Sequence, residues 1–183
     1  MIFARWRARS ANRILIEQIH GEIVAAARAP ALYQRFDVAD SLEGRFEMIA
    51  LHAGLVMRRL GAFGGLGAEI AQDLIDCVFR HFEDALRELA IGDAGLARRM
   101  KGMAAAFAGR NRAYGEALAA RDPEALAAAL ARNVYGASDV ERAPRARDLA
   151  AYALGAALAL DREGVEFFSG GRFAFPGALG DAR

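Results

Sequence analysis

The sequence contains very little cysteine and lysine. Of its 183 residues, Cys77 is the one cysteine and Lys101 the one lysine, whereas 23 residues are arginine. A single thiol excludes a disulfide-stapled scaffold and any zinc site that needs several thiolates from one chain. The cysteine usage is therefore typical of a protein in a reducing compartment.

Long apolar runs are also missing. The longest covers residues 149–160, is half alanine, and lies between Asp148 and Asp161. A membrane-spanning helix needs about 18 consecutive apolar residues, so the sequence predicts none. A secretory signal is not expected either, because Glu17 interrupts the apolar run that begins at Ile14.

Alanine is the most abundant residue of the sequence. The chain has 43 alanines, and 55% of its residues are apolar against 26% charged. This balance excludes an intrinsically disordered chain. Because alanine is the best helix former, the composition favours closely packed helices.

Apolar periodicity and turn residues predict six long helices and a short helical piece at 31–36. Asp40, followed by Glu43, is the predicted N-cap of the second helix, and Asp122 with Pro123 opens the fifth. The predicted ranges are 12–28, 41–60, 68–89, 96–120, 123–134 and 145–161.

We therefore expect an all-α, single-domain bundle of about six helices. Residues 1–13 form a basic N-terminal arm, residues 14–161 the helical domain, and residues 162–183 a tail. Two aromatic runs flank Gly170 and Gly171 in this tail, which predicts a hairpin or an extended strap packed on the bundle.

The second predicted helix is apolar on two sides. Its narrower apolar face carries Met48, Leu51 and Leu55, and a basic column of Arg45, His52 and Arg59 could run beside it at sevenfold spacing. Such a helix is either central in the bundle or exposes one side to a partner. The Met-bearing strip suits an irregular apolar partner, because methionine adapts its shape.

The fourth predicted helix carries a smooth strip with Gly102 and Gly109 seven residues apart. Glycine inside a helix costs roughly 0.5–1 kcal/mol relative to alanine, so its presence suggests a close approach to the backbone. Either a neighbouring helix of the bundle or a partner chain would account for it.

No catalytic or metal constellation is predicted. Glu17 and His20 form the only Glu-x-x-His motif, whereas a di-iron bundle needs two with further glutamates. Cys77 and His81 are four residues apart, but two ligands without partners are weak evidence. The glycines of residues 61–67 fit neither a dinucleotide-binding nor a P-loop motif. The sequence thus indicates no enzyme, no cofactor and no metal; a helical-bundle metal-binding enzyme remains an alternative.

Residues 25–36 resemble the end of the recognition helix of TetR-type repressors, where small residues precede Leu-Tyr-x-x-Phe. The glycine-containing turn is missing, and Pro30 falls where that helix should continue. A TetR-like all-helical regulator is a second alternative, although the main expectation includes no DNA.

The N-terminal arm interleaves aromatic and arginine side chains and carries a local charge of +4 from four arginines without an acid. This composition suits a membrane surface or the phosphates of ribosomal RNA. The predicted membrane- or ribosome-binding residues are Phe3, Arg5, Trp6, Arg7 and Arg9.

Four blocks in order resemble the ubiquinol–cytochrome c chaperone family. They cover residues 37–52, 82–93, 101–110 and 132–134, within a resemblance that extends over roughly residues 14–160. One departure is Ala108, where an aromatic residue is expected before Gly-Arg.

The resemblance implies a non-enzymatic assembly factor. Members of this family bind newly made cytochrome b and support its assembly into the cytochrome bc complex, respiratory complex III. Mitochondrial relatives act with a small partner protein near the ribosomal exit. This chain is expected to be a bacterial member, cytoplasmic and peripheral to the inner membrane.

The surface that would hold an apolar segment of cytochrome b is expected on the second and fourth predicted helices. Its predicted residues are Arg45, Phe46, Met48, His52, Leu55, Arg59, Lys101, Gly102, Phe107, Gly109 and Arg110.

Overall fold

The computed structural model describes residues 2–88, 92–171 and 173–176. For residues 2–11, 93 and 94 it describes the backbone alone. These residues form eight helices and no strand. The helices are α1 (Ile2–Ala27), α2 (Pro30–Arg35), α3 (Leu42–Gly61), α4 (Gly65–Glu88), α5 (Asp93–Ala119), α6 (Pro123–Val134), α7 (Ala146–Asp161) and α8 (Val165–Ser169).

Local sequence signals account for most of the helix boundaries. Pro30 begins α2 after the end of α1, and Asp122 caps α6 by accepting a hydrogen bond from the backbone N–H of Ala125 at 2.9 Å. The cap predicted at Asp40 is wrong by one residue. Ser41 is the N-cap of α3 and accepts from the N–H of Gly44, whereas Asp40 pairs with Arg45.

Helix α3 lies at the centre of the bundle. It packs against α1, α4, α5, α6 and α7. Met48, Leu51, Leu55 and Leu60 are among its fully buried side chains. Both apolar faces of this helix therefore contact other helices. Of the two interpretations that its sequence allowed, the structure favours a helix that is central in the bundle.

The two ends of the chain differ in part from expectation. The backbone of α1 begins at Ile2, so the segment predicted as an arm continues the first helix. The tail packs on the bundle through Phe168, which is fully buried, and Phe173, whose stacked ring centroid lies 5.4 Å away. The extended conformation predicted for the whole tail is wrong for Val165–Ser169, which form α8.

The all-α single-domain class is confirmed for the described part of the chain. Within those residues, no helix combines the length and the apolar character that crossing a bilayer requires.

Candidate functional site

A groove of about 800 Å³ opens between α1, α3, α4 and α5. Apolar side chains from all four helices form much of its surface, and charged side chains surround them. The lining residues with apolar side chains are Val24, Leu42, Phe46, Ile49, Phe82, Ala85, Leu86 and Met103. The charged lining residues are Arg28, Glu43, Arg45, Glu47, Asp84, Glu88, Arg99 and Arg110.

The first turn of α3 supplies one end of the groove. Gly44 is required there, because a Cβ at this position would lie 1.9 Å from the carbonyl oxygen of Ala39. This close approach holds the 36–41 connection against α3 and positions two neighbouring lining residues. Arg45 is exposed and forms an ion pair with Asp40 at 2.7 Å, while Phe46 lies inward.

An aromatic chain supports the groove from α3 to α5. The ring centroids of Phe46 and Phe82 lie 5.3 Å apart, those of Phe79 and Phe82 lie 5.9 Å apart, and Phe79 contacts Phe107 at 5.4 Å. Aromatic pairs at these separations are favourable. The groove floor is therefore preformed by core packing.

A charged pair crosses from α5 to α3 beside this floor. Both Nε and an Nη of Arg110 donate to the carboxylate of Glu47, whose side chain is 6% exposed. Burial raises the pKa of Glu47, and Arg110 acts in the opposite direction. The guanidinium also lies 5.4 Å from the centroid of the Phe46 ring. This geometry fixes Arg110 as a structural partner of α3 at the groove edge.

Four of the predicted client-binding residues line the groove. Arg45 and Phe46 come from α3, and Gly102 and Arg110 come from α5. Lys101 and Gly109 are exposed on α5 outside the groove lining.

The placement of four other predicted residues on an accessible surface is wrong. Met48, His52 and Leu55 are at most 1% exposed and Phe107 is 4% exposed. Met48, His52 and Leu55 face the bundle interior because α3 is covered on both apolar sides, and Phe107 of α5 packs against Phe79 of α4. The structure therefore offers little exposed surface at these four predicted client-binding residues.

Arg59 has a structural role at the other end of α3. Its Nε donates to the carbonyl oxygen of Glu163 at 3.1 Å, and its guanidinium lies 4.2 Å from the centroid of the Phe63 ring. It thereby ties α3 to the segment that follows α7.

Sequence reasoning missed the contribution of α1 and α4 to the groove. Phe82 and Leu86 follow a clean core periodicity, which gives no sign that one edge of that face stays open.

A second feature was missed on the same two helices. Glu17 and His20 of α1 lie beside Cys77 and His81 of α4, so the two pairs do have partners after all.

The backbone shows where two further predicted segments lie. The side chains of the predicted arm lie outside the described residues, so Phe3, Arg5, Trp6, Arg7 and Arg9 are located only as part of α1. The stretch that resembles a repressor recognition helix is divided, because α1 ends at Ala27 and α2 begins at Pro30. This break does not favour a DNA-reading helix.

Comparison with known proteins identifies relatives of the whole domain. A family described as ubiquinol-cytochrome C chaperone matches residues 34–175. The crystal structure of the Cbp3 homolog from Brucella abortus is similar to this chain with a TM-score of 0.84 and 38% sequence identity. That similarity covers 98% of this chain and 99% of the Brucella chain. No curated protein matches the sequence.

Proposed function

The chain belongs to the ubiquinol-cytochrome C chaperone family, and from this membership we propose that it is an assembly chaperone for respiratory complex III. We propose further that its client is newly made cytochrome b. The observation that carries the proposal is the family match over residues 34–175, supported by 38% identity to the Brucella protein along nearly the full length of both chains. On this proposal the protein acts by binding its client and not by catalysis.

The groove between α1, α3, α4 and α5 is the proposed client site. Its floor presents Phe46, Phe82 and Met103, and its rim carries charges of both signs. Apolar side chains of an unassembled membrane protein would gain free energy by leaving water for such a floor, at about 25 cal/mol per Å² buried. Charges around the rim keep the unoccupied groove hydrated and limit self-association.

The smooth strip of α5 extends this site. Gly102 lines the groove and Gly109 lies seven residues farther along the same helix, and an added Cβ at either glycine would meet no other atom within 4 Å. Within the part of the chain that the structure describes, the close approach suggested by these glycines is therefore not made by another helix. We assign it to a client helix, which could contact the α5 backbone there.

The cellular location is also a proposal. Cytochrome b is an inner-membrane protein, so its chaperone is expected at the cytoplasmic face of the bacterial inner membrane. Phe3, Arg5, Trp6, Arg7 and Arg9 would bind the membrane surface or the ribosome, with a small partner protein possible as in mitochondrial relatives. Deleting residues 1–9 should reduce co-sedimentation with membranes or ribosomes, most clearly at low salt; an unchanged distribution would remove this role.

The decisive genetic experiment uses a bacterium that lacks this protein. Complex III, measured by native gel and by the haem b spectrum, should fail to assemble and should return when the wild-type chain is supplied. Intact complex in the deletion strain would overturn the proposed function.

A pair of glycine variants tests the groove separately. Gly102→Leu fills the groove wall and should restore complex III poorly. Gly155→Leu is the matched control, because Gly155 is an exposed helical glycine of α7 with nothing within 4 Å of an added Cβ. Equal rescue by both variants would retain the chaperone function but exclude this groove as its site.

A further inference from the structure

Four side chains with metal-ligating atoms meet between α1 and α4. Glu17 and His20 are three residues apart on α1, and Cys77 and His81 are four residues apart on α4, so each pair shares one face of its helix. The two helices pack against each other. As a result, one ligand atom from each of the four residues lies within 4.8 Å of every other.

Side chains of this cluster already contact one another. Nε2 of His81 lies 2.9 Å from Oε2 of Glu17. The imidazole rings of His20 and His81 are stacked, with centroids 4.1 Å apart and planes 7° from parallel. Cys77 is fully buried and His20 is 8% exposed, whereas the side chains of Glu17 and His81 are 36% and 44% exposed. The cluster is thus closed towards the core and open to solvent on its outer side, which gives an ion a path of entry.

We propose that Glu17, His20, Cys77 and His81 form a Zn²⁺ site that joins α1 to α4. Two imidazole nitrogens, one thiolate and one carboxylate are the ligand types that zinc takes in tetrahedral sites, at about 2.0–2.3 Å. Ligands on a tetrahedron of that size are about 3.4 Å apart. Closing the cluster around the ion therefore takes side-chain movements of about 1 Å, together with rotation of the stacked imidazole rings, whose in-plane nitrogen lone pairs must turn towards one point. Calcium and magnesium are disfavoured, because both prefer all-oxygen sites.

The charges and protons of this site balance. Binding of Zn²⁺ releases the thiol proton of Cys77 to solvent, and the resulting thiolate and the carboxylate of Glu17 together neutralise the ion. Both histidines coordinate as neutral imidazoles.

The site would fix one wall of the groove. His20 and His81 both line the groove as well as belonging to the cluster. A bound ion would hold α1 and α4 at a fixed separation along that wall. The metal site itself does not depend on what the groove binds, so its test is independent of the proposed chaperone function.

The test is a metal titration of the untagged full-length chain after removal of metal with a chelator and dialysis. Co²⁺ serves as the spectroscopic probe. The expected result is one Co²⁺ per chain with the visible bands of tetrahedral cobalt and a thiolate-to-cobalt charge-transfer band, both removed by one equivalent of Zn²⁺. Zinc should also raise the melting temperature, since a ligand that binds only the folded state stabilises it.

Single variants identify the ligands. Cys77→Ser should abolish the charge-transfer band, and His81→Ala should weaken binding at least about 10- to 100-fold, the range already seen when only a supporting residue is lost. His81 is exposed, so its variant reports on binding even if Cys77→Ser fails to fold. Asp84→Asn, at an exposed acid three residues beyond His81 on α4, is the control and should bind normally.

Two results would overturn the proposal. One is a titration without tetrahedral bands and without a change in melting temperature. The other is equal metal affinity in the wild type and in His81→Ala, which would indicate an adventitious ion only.

Discussion

The imidazole of His52 and the hydroxyl of Tyr152 are joined by a buried hydrogen bond of 2.6 Å between Nε2 and Oη. The other ring nitrogen, Nδ1, lies 2.7 Å from the carbonyl oxygen of Met48. A carbonyl only accepts, so Nδ1 carries the proton and Nε2 accepts from Tyr152. Both nitrogens of a fully buried ring are thereby satisfied. This arrangement ties α3 to α7 and makes His52 a core residue.

Removing the tyrosine hydroxyl tests this role. Tyr152→Phe leaves Nε2 of His52 buried without a donor, which should lower the free energy of unfolding by about 1–2 kcal/mol. The measurement is urea denaturation. Tyr33→Phe is the matched control, because the hydroxyl of Tyr33 donates to the carbonyl of Ala27 at a half-buried position that water can reach. An equal or smaller loss in Tyr152→Phe than in the control would contradict the assignment.

His52 also predicts a pH dependence. Burial lowers its pKa to about 4, against a reference value of 6.5. The hydrogen bond to the backbone of Met48 acts in the opposite direction and offsets only part of this decrease. The unfolded chain therefore binds more protons than the folded chain between these values, so stability falls as the pH decreases through this window. The full contribution of His52 to the free energy of unfolding, roughly 3 kcal/mol at most, is present above pH 6.5.

The measurement compares urea denaturation of wild type and His52→Leu at several pH values from 7.5 to 4. Other groups contribute to both proteins, so the difference between their pH slopes isolates His52. The wild type should lose more stability than the variant over this range. Parallel curves would show that His52 does not resist protonation.

Gly44 should tolerate no side chain. Gly44→Ala places a methyl group against the carbonyl of Ala39 and forces the backbone before α3 to move, which should cost about 1–3 kcal/mol. The control is Gly21→Ala in α1, where an added Cβ meets nothing within 4 Å and where the change should instead stabilise by roughly 0.5–1 kcal/mol. Thermal melts of both variants measure the effect. A stabilised Gly44→Ala protein would show that the close approach is absent.

The pair of Arg110 and Glu47 should be costly to break on one side. Arg110→Ala leaves a buried carboxylate without its partner and should destabilise the fold by about 2–3 kcal/mol. Replacing both residues, as Arg110→Met with Glu47→Leu, should recover most of that loss, because no buried charge remains. Denaturation curves of the single and double variants test this. Arg45→Ala removes an exposed ion pair with Asp40 and should change stability little; a similar loss in both single variants would contradict the distinction.

Local signals in the sequence were sufficient for the helices α2 to α7, but not for α8 or for the start of α1. Asp122 and Pro123 open α6 as expected, and the break at Pro30 separates α1 from α2. The boundary error at Ser41 arose because Asp40 and Ser41 are both good caps, and Asp40 is instead engaged by Arg45. Propensity identifies the candidates, but the competing side-chain contact selects between them.

The site could be predicted only in part. Periodicity shows which residues share a face of a helix, but it does not show which other segments pack on that face. Arg45, His52 and Arg59 share one column of α3, yet Arg45 is exposed and His52 is buried. The middle of the column is covered by Tyr152 of α7 and by Phe175 of the tail, whose ring centroid lies 4.8 Å from that of His52. These covering residues lie 100 and 123 positions away from His52 in the sequence.

The cluster of Glu17, His20, Cys77 and His81 shows the same limit. Each pair is visible as a helical spacing, but neither pair is a site by itself. Their meeting depends on the packing of α1 against α4, which no local pattern encodes.

The most direct test of the central proposal is site-specific photo-crosslinking in cells that synthesise cytochrome b. A photoreactive residue at position 102 places the probe in the groove, and one at position 155 places it on the exposed face of α7 as a control. On this proposal, position 102 should form an adduct with cytochrome b, and position 155 should form little or none. Adducts from position 102 with many membrane proteins but never with cytochrome b would contradict it.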